Sequence, residues 1–246
     1  MSLHWNFLGL TALVFIAIAT RYLAFSALLH WAFWKKTPSR IFQQLSKVPP
    51  KKARIRQEIF WSLASSIVFA GVFTAVFLAF ENGYTWIYEQ PLQYGLVYLL
   101  ISGPLVLFLQ DLHFYLFHRL LHHPRFYRFH KIHHISREPS AWTAFCFHPV
   151  EALLSASFLP LVAFFVPLHI SLVGILFVVM TLLAVTNHLG WEIWPKTWLD
   201  RWPLSWLISA RHHQNHHSKF NGNYGLYFRF WDRVAGTDVG LFRSRQ

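Results

Sequence analysis

The sequence predicts an all-α integral membrane helical bundle with a histidine-rich helical cap on its cytoplasmic side. Three observations predict it. Only 13% of the residues are charged and 54% are hydrophobic, whereas a soluble domain carries roughly a quarter charged. The apolar residues gather into runs long enough to treat lipid as their solvent. Fourteen of the sixteen histidines fall between His113 and His217.

The first apolar run extends from about Trp5 to Trp34 and is interrupted only by Arg21. It is too long for the apolar core of a signal peptide, and no small-residue cleavage site ends it. The second, Ile59 to Phe80, is uncharged and can cross roughly 30 Å of hydrocarbon. The third, Pro91 to Gln110, continues straight into Asp111 and the first histidines. Val150 to Val166 and Leu168 to Leu189 are separated by Pro167, so they form a hairpin that either crosses the bilayer or dips into it.

Orientation follows from the basic residues. Lys35, Lys36, Arg40, Lys47, Lys51, Lys52, Arg54 and Arg56 crowd the first connection, while the second, Glu81 to Gln90, has none. The excess of positive charge inside puts the first connection in the cytoplasm and the N-terminus outside. Counting crossings from there returns every histidine cluster to the cytoplasmic face of a multi-pass protein, in a bacterial inner membrane or the endoplasmic reticulum according to its source. The net charge of +12 is accounted for by these flanking residues and comes with no nucleic-acid-binding motif, so no nucleic-acid partner is expected. Cys146 is the only cysteine, which excludes an internal disulfide and a thiolate metal cluster.

Three clusters carry the chemistry. His118-Arg-Leu-Leu-His122, followed by His123, places two imidazoles at i and i+4 on one helical face, with Asp111 two turns earlier on the same face. His130-Lys-Ile-His133-His134 and His213-Gln-Asn-His216-His217 share the form H-x-x-H-H. Packing does not require this spacing; a metal does, and unpaired buried imidazoles would be costly. Eight histidines exceed the four ligands of one tetrahedral zinc, which points to two ions. Imidazole alone does not choose among zinc, copper, iron and nickel. His4, His30 and His169 stand alone and read as ordinary polar residues, Glu151 as the start of an apolar run, and Asp232 with Arg233 as a structural ion pair.

At these residues the chain resembles the fatty acid hydroxylase superfamily, which includes sterol desaturases and sphingolipid hydroxylases. The stretch Asp111 to His123 resembles its first histidine box. His130 to His134 with Ser136, Pro139 and Phe147 to Glu151 resembles the second, and His213 to His217 with Asn223-Tyr224-Gly225 and Phe230 to Thr237 the third. The resemblance divides the chain into residues 1–110, transmembrane helices with a basic cytoplasmic loop, and 111–246, the catalytic region with its hairpin at about 150–189. It implies an oxidoreductase that uses two Fe ions, replaceable by zinc, to activate dioxygen, with no catalytic residue beyond the metal ligands. By position those ligands are His118, His122, His130, His133, His134, His213, His216 and His217, and a further family histidine between the second and third boxes corresponds to His188. His123 competes with His122, although i+5 points away on a regular helix. Asp111 would orient a ligand imidazole, and His113 and His212 would stand behind the ligands. His148 would cap or pack.

The resemblance further implies a sterol-like, sphingoid or fatty acyl lipid, hydroxylated or desaturated. Electrons would come from a separate donor, a b-type cytochrome or a ferredoxin with its NAD(P)H reductase. Trp142, Phe145, Phe147, Trp191 and Trp194 would either line the substrate entrance or form an interfacial belt. Two other functions compete. A zinc-binding membrane transporter would place its ligands near the bilayer midplane, and a zinc-dependent membrane hydrolase would need a glutamate base as in H-E-x-x-H. The clusters lie outside the apolar runs and lack that motif.

Overall fold

The computed structural model describes residues 6–36 and 41–241; His4, Trp5 and Arg40 lie outside the described residues. Three long helices come first: α1 (Phe7–His30, continued by a wider turn to Lys35), α2 (Lys52–Glu81) and α3 (Gly95–Leu121). They are followed by α4 (Tyr127–His134), α5 (Pro149–Ala156), α6 (Phe158–Phe165) and α7 (Ile170–Asn187). The chain ends in α8 (Lys196–Leu199), α9 (Ala210–Lys219) and α10 (Phe230–Val234). Helices α1, α2, α3 and α7 are each long and apolar enough to cross a membrane, and this is a membrane protein.

The bundle is apolar on its outer surface as well as in its core, unlike a soluble domain. Between 22% and 33% of each spanning window is buried, so most of its apolar surface needs lipid. Leu13, Ile16, Phe60, Ile67, Leu100 and Leu116 face outward, whereas Ser26, Ser62, Ser65, Ser66, Thr74 and Ser102 are buried between helices. Small hydroxyl residues allow close helix approach and supply hydrogen bonds where hydrophobicity gives no drive. Ser26 Oγ donates to Ala141 O and Ser65 Oγ to Phe147 O, which ties α1 and α2 to the segment after α4.

Two short strand pairs fix the ends of the bundle. β1 (Gln43–Gln44) runs antiparallel to β4 (Trp191–Glu192), and β2 (Ile87–Tyr88) runs parallel to β3 (Leu168–His169). The basic α1–α2 connection therefore lies at the end where α7 finishes. The α6–α7 turn lies at the opposite end, beside the α2–α3 connection, so the hairpin reaches as far along the bundle as α2 and α3 do. Its first arm is broken at Ser157, whose Oγ donates to Leu154 O.

Candidate metal centre

Each histidine is delivered by an element that the local sequence explains. The last turn of α3 presents His118, and His122 caps it. α4 carries His130, His133 and His134. His188 caps α7, and the chain then turns at Gly190, where φ is +75° and an added Cβ would fall 2.9 Å from Trp34 and 3.2 Å from the Pro139 carbonyl; only glycine fits there. α9 begins with a capping box in which Ser209 and His212 satisfy each other's backbone N–H. Every residue from Ala210 to His217 is buried although seven of these eight are polar or charged. A helix that is polar all round does not bury itself for its apolar surface, so its burial needs another partner.

The structure brings all nine sequence-predicted histidines together at one end of the bundle. They form two adjoining groups, His118, His122, His130, His134 and His216 in one and His133, His188, His213 and His217 in the other, with the ligand nitrogens of each group within 4.8 Å of one another. The tautomers are set from behind. His118, His188, His216 and His217 donate from Nδ1 to the carbonyls of Tyr224, Ala184, Gly222 and Ser136 at 2.7–2.9 Å. His130 donates from Nδ1 to Glu151 Oε1 at 2.7 Å. An imidazole that holds its proton on Nδ1 presents a lone pair at Nε2.

Those lone pairs face each other. His118 Nε2 and His130 Nε2 lie 3.0 Å apart, and with Glu151 ionised neither has a proton to share. His213 Nε2 lies 2.7 Å from His188 Nε2 and 3.0 Å from His217 Nε2, and one N–H could satisfy only one of the two. Facing lone pairs repel unless a cation sits between them, so the donor set fits metal ions. Burial also keeps the rings neutral. His130, His133, His134, His213 and His217 are held well below the usual histidine pKa, His122 and His188 at about 4 and His216 at about 3. Loss of hydration is the first cause in each case, and neighbouring histidines add to it for most.

A cavity of about 140 Å³ runs between the helices from this end. Its walls are mainly aromatic and aliphatic, including Phe69, Phe114, Phe147 and Leu176, and its floor includes His133, His188 and His213 of the four-histidine group.

Several expectations need correction. Asp111 does not orient an imidazole: its Oδ1 accepts the backbone N–H groups of Leu226, Tyr227 and Phe228. The histidine–carboxylate contact belongs to Glu151, which sequence reading passed over; a lone acid opening an apolar run, costly unless paired, was the available signal. Glu58 in α2 is the other carboxylate missed, and it accepts the hydroxyls of Ser136, Ser140 and Thr143 between α4 and α5. Arg233 pairs with Asp238 rather than Asp232, which instead accepts the N–H groups of Tyr224 and Gly225.

Neither His113 nor His212 backs a ligand. His113 lines the cavity beside Ser157, and His212 Nδ1 accepts from Ser209 N–H at the start of α9. His123 stays outside both groups, its Nδ1 accepting from Arg125 N–H. His148 caps α5 by accepting from Val150 N–H, and His169 is satisfied by Ser171 and the Glu89 carbonyl. His30 is not satisfied in this way, because its Nδ1 is buried without a partner among the described residues. Of the five aromatics, Phe145 and Phe147 line the cavity. Trp191 packs in a core with Val185 and Leu189, Trp142 lies against Tyr22 and His30, and Trp194 packs near Trp198.

Comparison with known proteins gives the same outline. The profile described as fatty acid hydroxylase matches residues 103–237. Human lathosterol oxidase is 30% identical over 76% of this chain and 62% of its own length. A Delta(7)-sterol 5(6)-desaturase of Aspergillus fumigatus is 29% identical over 96% of this chain and 77% of its own length. Methylsterol monooxygenase 1 of Rattus norvegicus is 36% identical over 53% and 44%. The chain thus spans less than two thirds of the length of the human relative. No solved structure matches it.

Proposed function

Because the chain belongs to the fatty acid hydroxylase family, we propose that it is a membrane-bound di-iron oxygenase that hydroxylates or desaturates a lipid. His118, His122, His130, His134 and His216 would hold one ion, and His133, His188, His213 and His217 the other. Two iron ions bound there supply the redox chemistry with which dioxygen attacks an unactivated C–H bond. The chain's own residues do the rest. Backbone carbonyls and Glu151 hold the rings with Nε2 inward, which fixes their orientation and raises their basicity. The apolar cavity aligns a hydrocarbon chain or ring system against the four-histidine group and excludes water from it. Its lipid would enter from the bilayer, and a separate protein would deliver electrons, either a b-type cytochrome or a ferredoxin with its NAD(P)H reductase. The positive-inside bias of the basic first connection supports a cytoplasmic histidine end.

The observation that carries this reading is the facing pair of Nε2 lone pairs on His118 and His130. The transporter alternative gains nothing, since the histidines gather at one end of the bundle instead of midway along it. The hydrolase alternative lacks its base, because Glu151 lies on the Nδ1 side of His130, away from Nε2. Metal analysis of protein purified without oxygen tests the proposal, together with lipid profiles of cells with and without the gene. About two irons per chain, lost in His133→Ala and His216→Ala along with one oxygenated or unsaturated lipid, are expected. Full iron content in both variants would refute it.

A further inference from the structure

Arg21 sits in the middle of α1, the one charged residue of that helix, and its side chain lines the cavity. Among the described residues it makes no hydrogen bond and no ion pair, and its Nε is buried without a partner. The guanidinium lies 5.7 Å from the ring of Phe177. Each buried carboxylate is engaged elsewhere through at least one oxygen: Glu58 with Ser136, Ser140 and Thr143, Asp111 with the backbone at 226–228, Glu151 with His130, Glu192 with Arg211 and Asp232 with Thr237. A cation in a membrane-spanning helix that faces an internal cavity with no counter-charge marks a ligand pathway.

Two further side chains repeat the pattern. Gln110 Oε1 and Ser155 Oγ are buried without partners, and both residues line the same cavity. Apart from His113, Thr181, Tyr227 and the three metal-centre histidines, the remaining lining is apolar. Ile18, one turn before Arg21, packs in one cluster with Ala156, and His113, one turn after Gln110, meets Ser157, so the three unsatisfied side chains belong to one stretch of the cavity and call for a common ligand. All three can donate: the guanidinium with five N–H groups, the Ser155 hydroxyl through its proton, and the Gln110 amide once rotation about its last side-chain bond brings the NH₂ to where Oε1 lies. A group that only accepts and carries negative charge satisfies them together and neutralises Arg21. A neutral hydroxyl would leave that charge uncompensated.

The helices give the distance to the metal centre. Gln110 precedes His118 by eight residues, about 12 Å along α3, and Phe177 precedes His188 by eleven, about 16 Å along α7. We propose that Arg21, Gln110 and Ser155 form a carboxylate-binding subsite, so that the substrate is a carboxylate-bearing lipid whose oxidised carbon lies about 12–16 Å from its acid group. This rests on the oxygenase reading for what happens at the histidines but not for the binding itself. A sterol hydroxyl close to the oxidised carbon would not reach the subsite.

The test uses the full chain in detergent micelles, loaded with zinc so that no turnover occurs, and measures displacement of a fluorescent long-chain probe by hexadecanoate, hexadecanol and cholesterol. Wild-type protein should bind hexadecanoate at least about ten-fold more tightly than hexadecanol, the value of one charge-assisted hydrogen bond. Arg21→Gln should abolish that preference while hexadecanol affinity stays the same, and Arg21→Lys should restore part of it. Gln110→Leu and Ser155→Ala should each reduce it and provide the readout if Arg21→Gln does not fold. Equal affinity for acid and alcohol in the wild type, tighter binding of cholesterol than of hexadecanoate, or an unchanged preference in Arg21→Gln would overturn the proposal. Iron content and lipid profiles read the metal centre separately, so failure of one proposal is distinguishable from failure of the other.

Discussion

Replacing Glu151 by leucine tests the metal centre without touching a proposed ligand. In the folded protein Glu151 Oε1 accepts the Nδ1–H of His130 at 2.7 Å, and both side chains are 1% exposed. Leucine leaves that N–H buried without an acceptor, a cost of about 1–3 kcal/mol, and frees the ring to rotate Nε2 away from His118. Loss of a carboxylate behind a ligand imidazole typically weakens metal binding about 10–100-fold, or roughly 1.4–2.8 kcal/mol. Glutamine keeps a carbonyl acceptor but loses the charge, so the order of affinity should be wild type, then Glu151→Gln, then Glu151→Leu. The assay is iron retention against a graded chelator series, with helicity by circular dichroism to confirm the fold. The first metal lost should be the one in the five-histidine group, with the four-histidine group retaining its own. Equal retention in all three proteins, or uniform loss from both groups in a fully helical Glu151→Leu protein, would refute the reasoning.

Other expectations follow from the same geometry. His122→Ala should lower iron content whereas His123→Ala should leave it unchanged, since only His122 joins a group; equal effects by metal analysis would contradict this. Asp111→Ala should orphan the N–H groups of Leu226, Tyr227 and Phe228 and destabilise the protein by about 1–3 kcal/mol for each one left unsatisfied. A thermal unfolding midpoint unchanged from wild type would count against that. Metal-free protein should lose stability on acidification. His122 and His216 titrate at about 4 and about 3 when folded, below the unfolded value of 6.5, so below pH 6.5 the unfolded chain binds more protons. Their contribution is intact above that pH and declines as pH falls from 6.5 toward 3. Midpoints measured across this range should fall less steeply in a His122→Ala, His216→Ala double variant, and an identical slope would rule the explanation out.

The helical class, the spanning segments and the eight clustered histidines were legible in the sequence because each is a local property. A spanning helix declares itself by an unbroken apolar run, and i, i+3, i+4 spacing places imidazoles on one stripe whatever surrounds them. His188 was reached by resemblance alone, since a single histidine at the end of an apolar helix carries no spacing signal. The roles of the carboxylates were not legible. Asp111 shares a helical face with His118, which suggested a contact, yet backbone groups 115 residues further along occupy it first. Glu151 and Glu58 act across 21 and 78 or more residues, and periodicity says nothing about such separations.

Sequence alone, then, determined which segments enter lipid and which side chains have a metal's chemistry, because solvent preference and helical period are fixed residue by residue. Tertiary structure decided how nine imidazoles divide into five and four, which nitrogen of each faces inward, and that Arg21 looks into a cavity instead of a neighbouring acid. Those outcomes depend on helices from distant parts of the chain meeting at one end of the bundle. Direction and partner exist only after that packing is complete.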